Sequence, residues 1–372
     1  MKKISFTASL ILVVFFTATA VSQNHYKVAG TEFLSDSIFS MMHRVNDHFL
    51  DNTWKNNDRN WIRGTYYTGL MTFYKVTKGK QLFDQAKSWA QKHGWRTGTD
   101  WTYPPNRLTC SQTYLQIYFH ELNPEYIKRT RSFMDKKINN TDPAKDQGWD
   151  YVDALYVGIP AYMMMGKATG EQEYIRYANR IFWEVVDDLY DREHHLFYRD
   201  EKAKKEKSKN DKPVFWSRGN GWAIASIPRI LEYLPEENEY YPRYVELLEE
   251  MATSLSACQS EDGFWRTNLA DPEAYSGPES SGTAFFTYAL AWGINNGILK
   301  KDKYLPVVAK AWKALYNVVD EDGKVCYGQG VSRDPGHVDK EDSQEYVAGA
   351  FLLAGSEVFR LQSSDDFKSS DE

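Results

Sequence analysis

Cysteine is nearly absent. Cys110, Cys258 and Cys326 are the only three in 372 residues. Odd in number and far apart, they form neither a disulfide framework nor a CxxC metal pattern, so stability must come from packing. Histidine is thin as well, and His194, His195 and His337 lack metal spacing, which leaves them structural or exposed. Neither sign of charge dominates. A net charge of -6 and a pI near 5.8 exclude a globally basic surface for nucleic acid. An acidic sugar would have to be held by a few local arginines. Alternating short strands are scarce, and no nucleophile elbow with a Ser-His-Asp set is visible.

Long apolar runs are missing too, with one exception. Ser9 to Ala20 follows the basic start Met1-Lys2-Lys3 and ends in Ala18-Thr19-Ala20, the three-part pattern of a cleaved secretory signal. A comfortable membrane span takes ~20 apolar residues, and this run falls short. Residues 1–20 are therefore expected to be a signal, with export to a periplasm or beyond the cell and no membrane span after cleavage. A signal anchor is the alternative. No cysteine follows the run, so a lipid anchor has no support.

Aromatics are what the chain has in plenty: 12 Trp, 25 Tyr and 19 Phe. Most must fill a large core, while some Trp and Tyr can stack on sugar rings. Segments that open with a small residue and an aromatic, then run at helical spacing, recur unevenly. They begin at Gly64, Ser111, Tyr151, Gly219, Gly282 and Gln344. Amphipathic helices with apolar residues at three- and four-residue steps follow several of them, from Gln81, Glu173 and Tyr304. Six inner helices, apolar on nearly all sides, alternating with amphipathic outer ones predict an all-α (α/α)6 barrel. It forms a single domain over 21–361. His195-Leu-Phe-Tyr-Arg and Asp262-Gly-Phe-Trp-Arg are candidate small hairpins. The lysine-rich stretch 201–212 reads as a solvated loop, and the polar tail 362–372 as frayed.

In such a barrel the inner helices begin at one mouth, so candidate residues were sought at their N-termini. Asp150 and Asp153 in Trp149-Asp-Tyr-Val-Asp are three apart, which puts both on one helical face. Asp150 reads first as an N-cap and second as a sugar contact beside Trp149. Asp153, flanked by aromatics, is the candidate catalytic acid. A helix N-terminus lowers a carboxyl pKa while a general acid needs it raised, so desolvation has to win. In Phe215-Trp-Ser-Arg-Gly-Asn-Gly-Trp222, Arg218 offers a fork for a carboxylate. Trp216 and Trp222 offer faces for a sugar, and the glycines suit a tight helix entry. The cluster is not a dinucleotide fingerprint. Ser280 or Ser281 can cap the helix after Gly277-Pro-Glu, and Trp61 and Arg63 are candidates for the same mouth.

Five pieces in order carry a family resemblance: Asn60-Trp-Ile-Arg-Gly-Thr-Tyr-Tyr-Thr-Gly-Leu, Tyr151-Val-Asp-Ala-Leu-Tyr, Ser217-Arg-Gly-Asn-Gly-Trp, Ser281-Gly-Thr-Ala and Gly349-Ala-Phe-Leu-Leu-Ala-Gly-Ser-Glu. The chain resembles glycoside hydrolase family 105, the unsaturated rhamnogalacturonyl hydrolases, from about Trp61 to about Leu361. It is similar, more distantly, to the unsaturated glucuronyl hydrolases. The resemblance implies an (α/α)6 barrel acting on an anionic unsaturated oligosaccharide with no metal or organic cofactor. An aspartate protonates C4 of a C4=C5 double bond, water adds at C5, and the hemiketal opens to release the neighbouring sugar. Asp153 matches that aspartate.

The candidate substrate contacts are Trp61, Arg63, Asn106, Arg107, Trp149, Asp150, Arg199, Trp216, Arg218, Asn220, Trp222 and Ser281. Asn106 and Arg107 stand where the family has acids, and Arg199 where it tends to have a histidine. The added positive charge points to a sulfated neighbour such as the rhamnose 3-sulfate of ulvan. Other readings are an (α/α)6 glycosidase or epimerase acting on saturated sugars, and a non-catalytic glycan binder. A glycosidase would need a carboxylate pair, of which Asp153 with Asp150 or Glu279 is the candidate.

Overall fold

The computed structural model describes residues 30–51, 59–100, 102–140 and 148–366. The expected signal segment lies outside them. The inner positions are taken by α2 (Trp61–Thr77), α4 (Thr109–Glu121), the pair α6 (Ala154–Val157) and α7 (Ile159–Thr169), α9 (Ser217–Leu231), α11 (Ser280–Asn295) and α13 (Glu345–Asp366). They touch in ring order, α2 to α4, α4 to α7, α7 to α9, α9 to α11 and α11 to α13. α13 returns to α2, so the ring closes. Outside it stand α1 (Ser35–Asp51), α3 (Lys80–Lys92), α5 (Lys128–Ile138), α8 (Gln172–Leu189), α10 (Tyr241–Ala257) and α12 (Lys301–Asn317). This is the expected six-hairpin barrel.

Burial follows the sequence pattern. Every residue of α9 is buried, as is α11 from Ser280 to Ile294, so these helices have no polar face to give to water. Outer helix α8 instead buries Ile175, Ala178, Ile181, Phe182, Val185 and Leu189, a one-sided stripe at helical spacing. Glycine lets inner helices touch. A Cβ on Gly69 of α2 would sit 2.2 Å from the Gly349 carbonyl oxygen of α13, and one on Gly282 of α11 would sit 2.2 Å from Ser217 Oγ of α9.

One local expectation holds and three change. The first hairpin forms, Tyr190–Asp191 pairing antiparallel with Leu196–Phe197. The second does not: Asp262–Arg266 is a turn around Gly263 at φ +93°, closed by Ser260 N–H donating to Phe264 O. Helix α13 runs to Asp366, into the range expected to be frayed. Residues 150–153 are bend and turn rather than helix, so the shared helical face of Asp150 and Asp153 does not exist. No described helix is long and apolar enough to cross a membrane.

Candidate active site

The N-termini of the inner helices do gather at one mouth, where they enclose a cavity of about 350 Å³. Trp61 opens α2, Asn106 lies in the 3-10 turn Pro104–Leu108 leading into α4, and Asp153 precedes α6. Trp222 comes from the second turn of α9, and Arg333 from the loop before α13.

Asp153 is set by its backbone. Val152 N–H donates to Arg199 O at 2.9 Å, which ties the turn to the chain leaving the hairpin. The carboxylate side chain is 18% exposed, and its Oδ2 is sealed without a hydrogen-bond partner. Arg199 Nε stands 4.0 Å from that oxygen, too far for a hydrogen bond, and is likewise unpartnered. Burial pushes the Asp153 carboxyl above its usual range, although the charges of Arg199 and Arg218 pull the other way. Desolvation therefore wins over the cations. Arg199 gives its Nη1 to Asp200 at 2.5 Å and lies over the Tyr151 ring.

Across the cavity runs a chain of donors and acceptors. Asp100 accepts from the backbone N–H groups of Thr102 and Tyr103 at 3.0 and 2.9 Å, and from Asn106 Nδ2 at 2.7 Å. Asn106 Oδ1 in turn accepts from the Tyr151 hydroxyl at 2.7 Å. Burial holds that phenol well above its ordinary pKa, so it stays a donor. Trp61 and Trp222 meet edge to face at 6.0 Å, and Trp61 stacks on Tyr346.

Of the thirteen residues expected here, five line the cavity: Trp61, Asn106, Asp153, Arg199 and Trp222. The other eight lie away from its lining. Arg63 is buried and locked bidentately to Glu345 of α13, Nε to Oε2 at 2.9 Å and Nη2 to Oε1 at 2.6 Å. Arg107 turns outward, donating to Gly98 O and Thr97 Oγ1 over the Phe133 ring. Trp149 is buried, with its ring against Gly158 and Tyr162. Asp150 is exposed and neither caps α6 nor reaches the cavity.

Apart from Trp222, the α9 cluster is turned into the protein. Trp216 is buried and donates from Nε1 to Gln329 Oε1. Arg218, 1% exposed, donates to the carbonyls of Gln329, Gly330 and Ser332 rather than awaiting a carboxylate. Asn220 bonds both the N–H and the carbonyl of Phe197. Gly221 faces Phe285, so it serves helix contact. Glu279, not a serine, caps α11, accepting from the N–H groups of Ser281 and Gly282 at 2.8 Å. The Ser281 hydroxyl donates back to Glu279, so the Ser281 candidate contact and the Glu279 candidate carboxylate are engaged with each other.

Asp100, Tyr103, Tyr151 and Arg333 line the cavity and were missed. Asp100 followed by Thr102 and Tyr103 is an Asx-turn pattern that could have been found. Arg333 had no local signal, because what brings it to the mouth is the long-range grip of Arg218.

A larger cavity of about 590 Å³ opens at the opposite end of the ring. Lys75 pairs there with Glu232, and Arg360 with Glu357. Size favours that end, but the unpartnered carboxyl lies at the other. Among the described residues no three His, Cys, Asp or Glu side chains gather to hold a metal.

The family model described as Glycosyl Hydrolase Family 88 matches residues 35–362. A protein of Alteromonas sp. (strain LOR) named unsaturated 3S-rhamnoglycuronyl hydrolase is 37% identical over 81% of this chain and 78% of its own. One of the same name from Formosa agariphila is 34% identical over 81% and 85%. A solved structure named as a polysaccharide lyase superposes with a TM-score of 0.84 at 33% identity, covering 89% of this chain and 98% of that one. A possible family 105 member from Salmonella enterica gives 0.76 at 20% identity over 94% and 100%, a likeness of fold alone.

Proposed function

The chain belongs to Glycosyl Hydrolase Family 88, and from that premise we propose that it is an unsaturated 3S-rhamnoglycuronyl hydrolase acting on lyase-generated oligosaccharides. The single observation that carries the chemistry is Asp153. It is a carboxyl at the mouth of the ring whose burial raises its pKa and whose Oδ2 has no partner.

A proton passes from the Asp153 carboxyl to C4 of the unsaturated uronate as the C4=C5 π bond breaks, leaving charge at C5 next to the ring oxygen. Water forms the new C5–O bond and loses a proton to the Asp153 carboxylate, which restores the acid. The C5 hemiketal then opens, and the neighbouring sugar leaves from C1. One carboxyl serves both steps, so no opposed pair is required. Asp100 does not supply such a partner, because three donors already occupy it. The tryptophan edges of Trp61 and Trp222 offer apolar contact to the ring, and Arg199 offers charge to its carboxylate.

The name 3S-rhamnoglycuronyl hydrolase, which both relatives carry, supports a rhamnose as the neighbouring sugar, and the arginines at the mouth support a sulfated one, as in ulvan. The basic start and apolar run of residues 1–20 support export, which the N-terminal sequence of the mature protein would test.

The deciding assay follows the ultraviolet absorbance of the conjugated enol-carboxylate on lyase products of ulvan, pectin and glycosaminoglycans. Loss of absorbance on the ulvan products is expected, and Asp153→Asn should slow it by about 10²- to 10⁴-fold. A rise of absorbance on intact polymer would replace the hydrolase with a lyase. No change on any of them would overturn the reading.

A further inference from the structure

One wall of the cavity is a pair of rings with a cation at each end. Arg199 lies over Tyr151 at 5.2 Å, Tyr151 meets Tyr103 edge to face at 4.9 Å, and Tyr103 carries the Arg333 guanidinium at 5.7 Å. The two guanidinium groups differ in what they face. Arg199 pairs through Nη1 with Asp200 and stands beside Asp153. Arg333 is exposed at the rim, next to Val331 at 61% exposure, and among the described residues its side chain has the Tyr103 ring but no carboxylate.

The loop presenting Arg333 is strapped down on both sides. Arg218 holds the carbonyls of Gln329, Gly330 and Ser332 at 2.8, 3.1 and 3.3 Å. Asp334 is held through its carbonyl by Gln329 Nε2 and Ser332 Oγ, both at 3.0 Å. A cation on fixed backbone, leaning on a ring and lacking a counter-charge, loses little freedom when it meets an anion.

The substrate of the hydrolase reading above carries two anionic groups. Protonation at C4 requires the uronate next to Asp153, which leaves the neighbouring sugar toward the rim. Resting on that reading, we propose that Arg333 reads a sulfate ester on the sugar next to the unsaturated uronate. Tyr103 props its guanidinium, and the Arg218 strap fixes its place. The planar fork suits two sulfate oxygens, which a lysine would meet only as a point charge.

The test uses the unsaturated, sulfated disaccharide from a lyase digest and the same disaccharide after chemical desulfation. Wild-type protein should favour the sulfated form by about tenfold in kcat/KM. Arg333→Gln should collapse that ratio toward one through KM, since the contact does not change along the reaction. Arg333→Lys should restore part of it. An unchanged ratio in Arg333→Gln, or no preference in the wild type, would overturn the assignment. In either case, turnover of the desulfated disaccharide would leave the hydrolase reading standing. Wild-type turnover of neither disaccharide would overturn both.

Discussion

At the scale of one residue, Asp153 sets catalysis against stability. Its folded pKa is raised, so the folded state holds its proton more tightly than the unfolded state does. The sign follows: its stabilising contribution is complete below the unfolded carboxyl pKa of about 3.9 and is lost as pH rises through the folded value. Asp153→Asn removes that loss without breaking a side-chain hydrogen bond to Oδ2, which makes none. The variant should therefore melt higher than wild type near neutral pH and equally below about pH 4, read by thermal melts at both. The rate has a matching limb. A general acid must be protonated, so kcat/KM should fall as pH rises through the same raised pKa of the free enzyme. Arg199 pulls that pKa down, so Arg199→Gln should move the alkaline limb to higher pH. A limb that stays fixed in that variant would mean another group carries the proton. The position of Asp153 was legible because aromatics on both sides predicted desolvation. Arg218 was misread because its chemistry, a fork for oxygen acceptors, is the same for a substrate carboxylate and for three backbone carbonyls 111 to 114 residues away.

At the scale of the element, the inner helices were legible for the reason they are stable. A stretch such as Gly282-Thr-Ala-Phe-Phe-Thr-Tyr-Ala-Leu has no polar side and can sit only between neighbours. Small interruptions were not legible. The Asp262 segment has the aromatic content of a strand, yet Gly263 at positive φ turns it, and a Cβ there would stand 2.4 Å from Lys310 O of α12. The α2–α13 contact makes two tests. Arg63 and Glu345 are both buried, so Arg63→Met alone should cost about 3–5 kcal/mol by stranding the carboxylate. Arg63→Met with Glu345→Leu should recover most of it in urea unfolding. If the single and double variants unfold alike, the pair is not a coupled unit. Gly69→Ala should cost about 1–3 kcal/mol or more, because the α13 backbone opposite cannot move as a side-chain tip can.

At the scale of the whole molecule, ring closure is what turns separate helix N-termini into a site. No inner helix carries the cavity alone: Trp61, Asn106, Asp153, Trp222 and Arg333 come from five places along the chain and meet because α13 returns to α2. That meeting was legible in outline, since alternating inner and outer helices imply a common mouth. Which side chains face the mouth was not, because that depends on turns such as 148–153 and on the strap over 329–334. Closure rests on α13, which buries Tyr346, Val347, Phe351, Leu352, Leu353 and Val358 among α1, α2, α11 and α12. Its Tyr346 hydroxyl also bonds Gln329 O, so the same helix that closes the ring anchors the strap. Ending the chain at Ser343 should thus expose apolar faces of α2 and α11 together and release Arg333 from the rim. The expected product is insoluble, or binds a hydrophobic dye without a cooperative melt. Ending it at Asp366 removes none of the described contacts, so its melting point should stay within the range of neutral surface changes, about 0.5 kcal/mol. A soluble, cooperatively melting chain ending at Ser343 would show that five inner helices suffice and that closure serves the site alone.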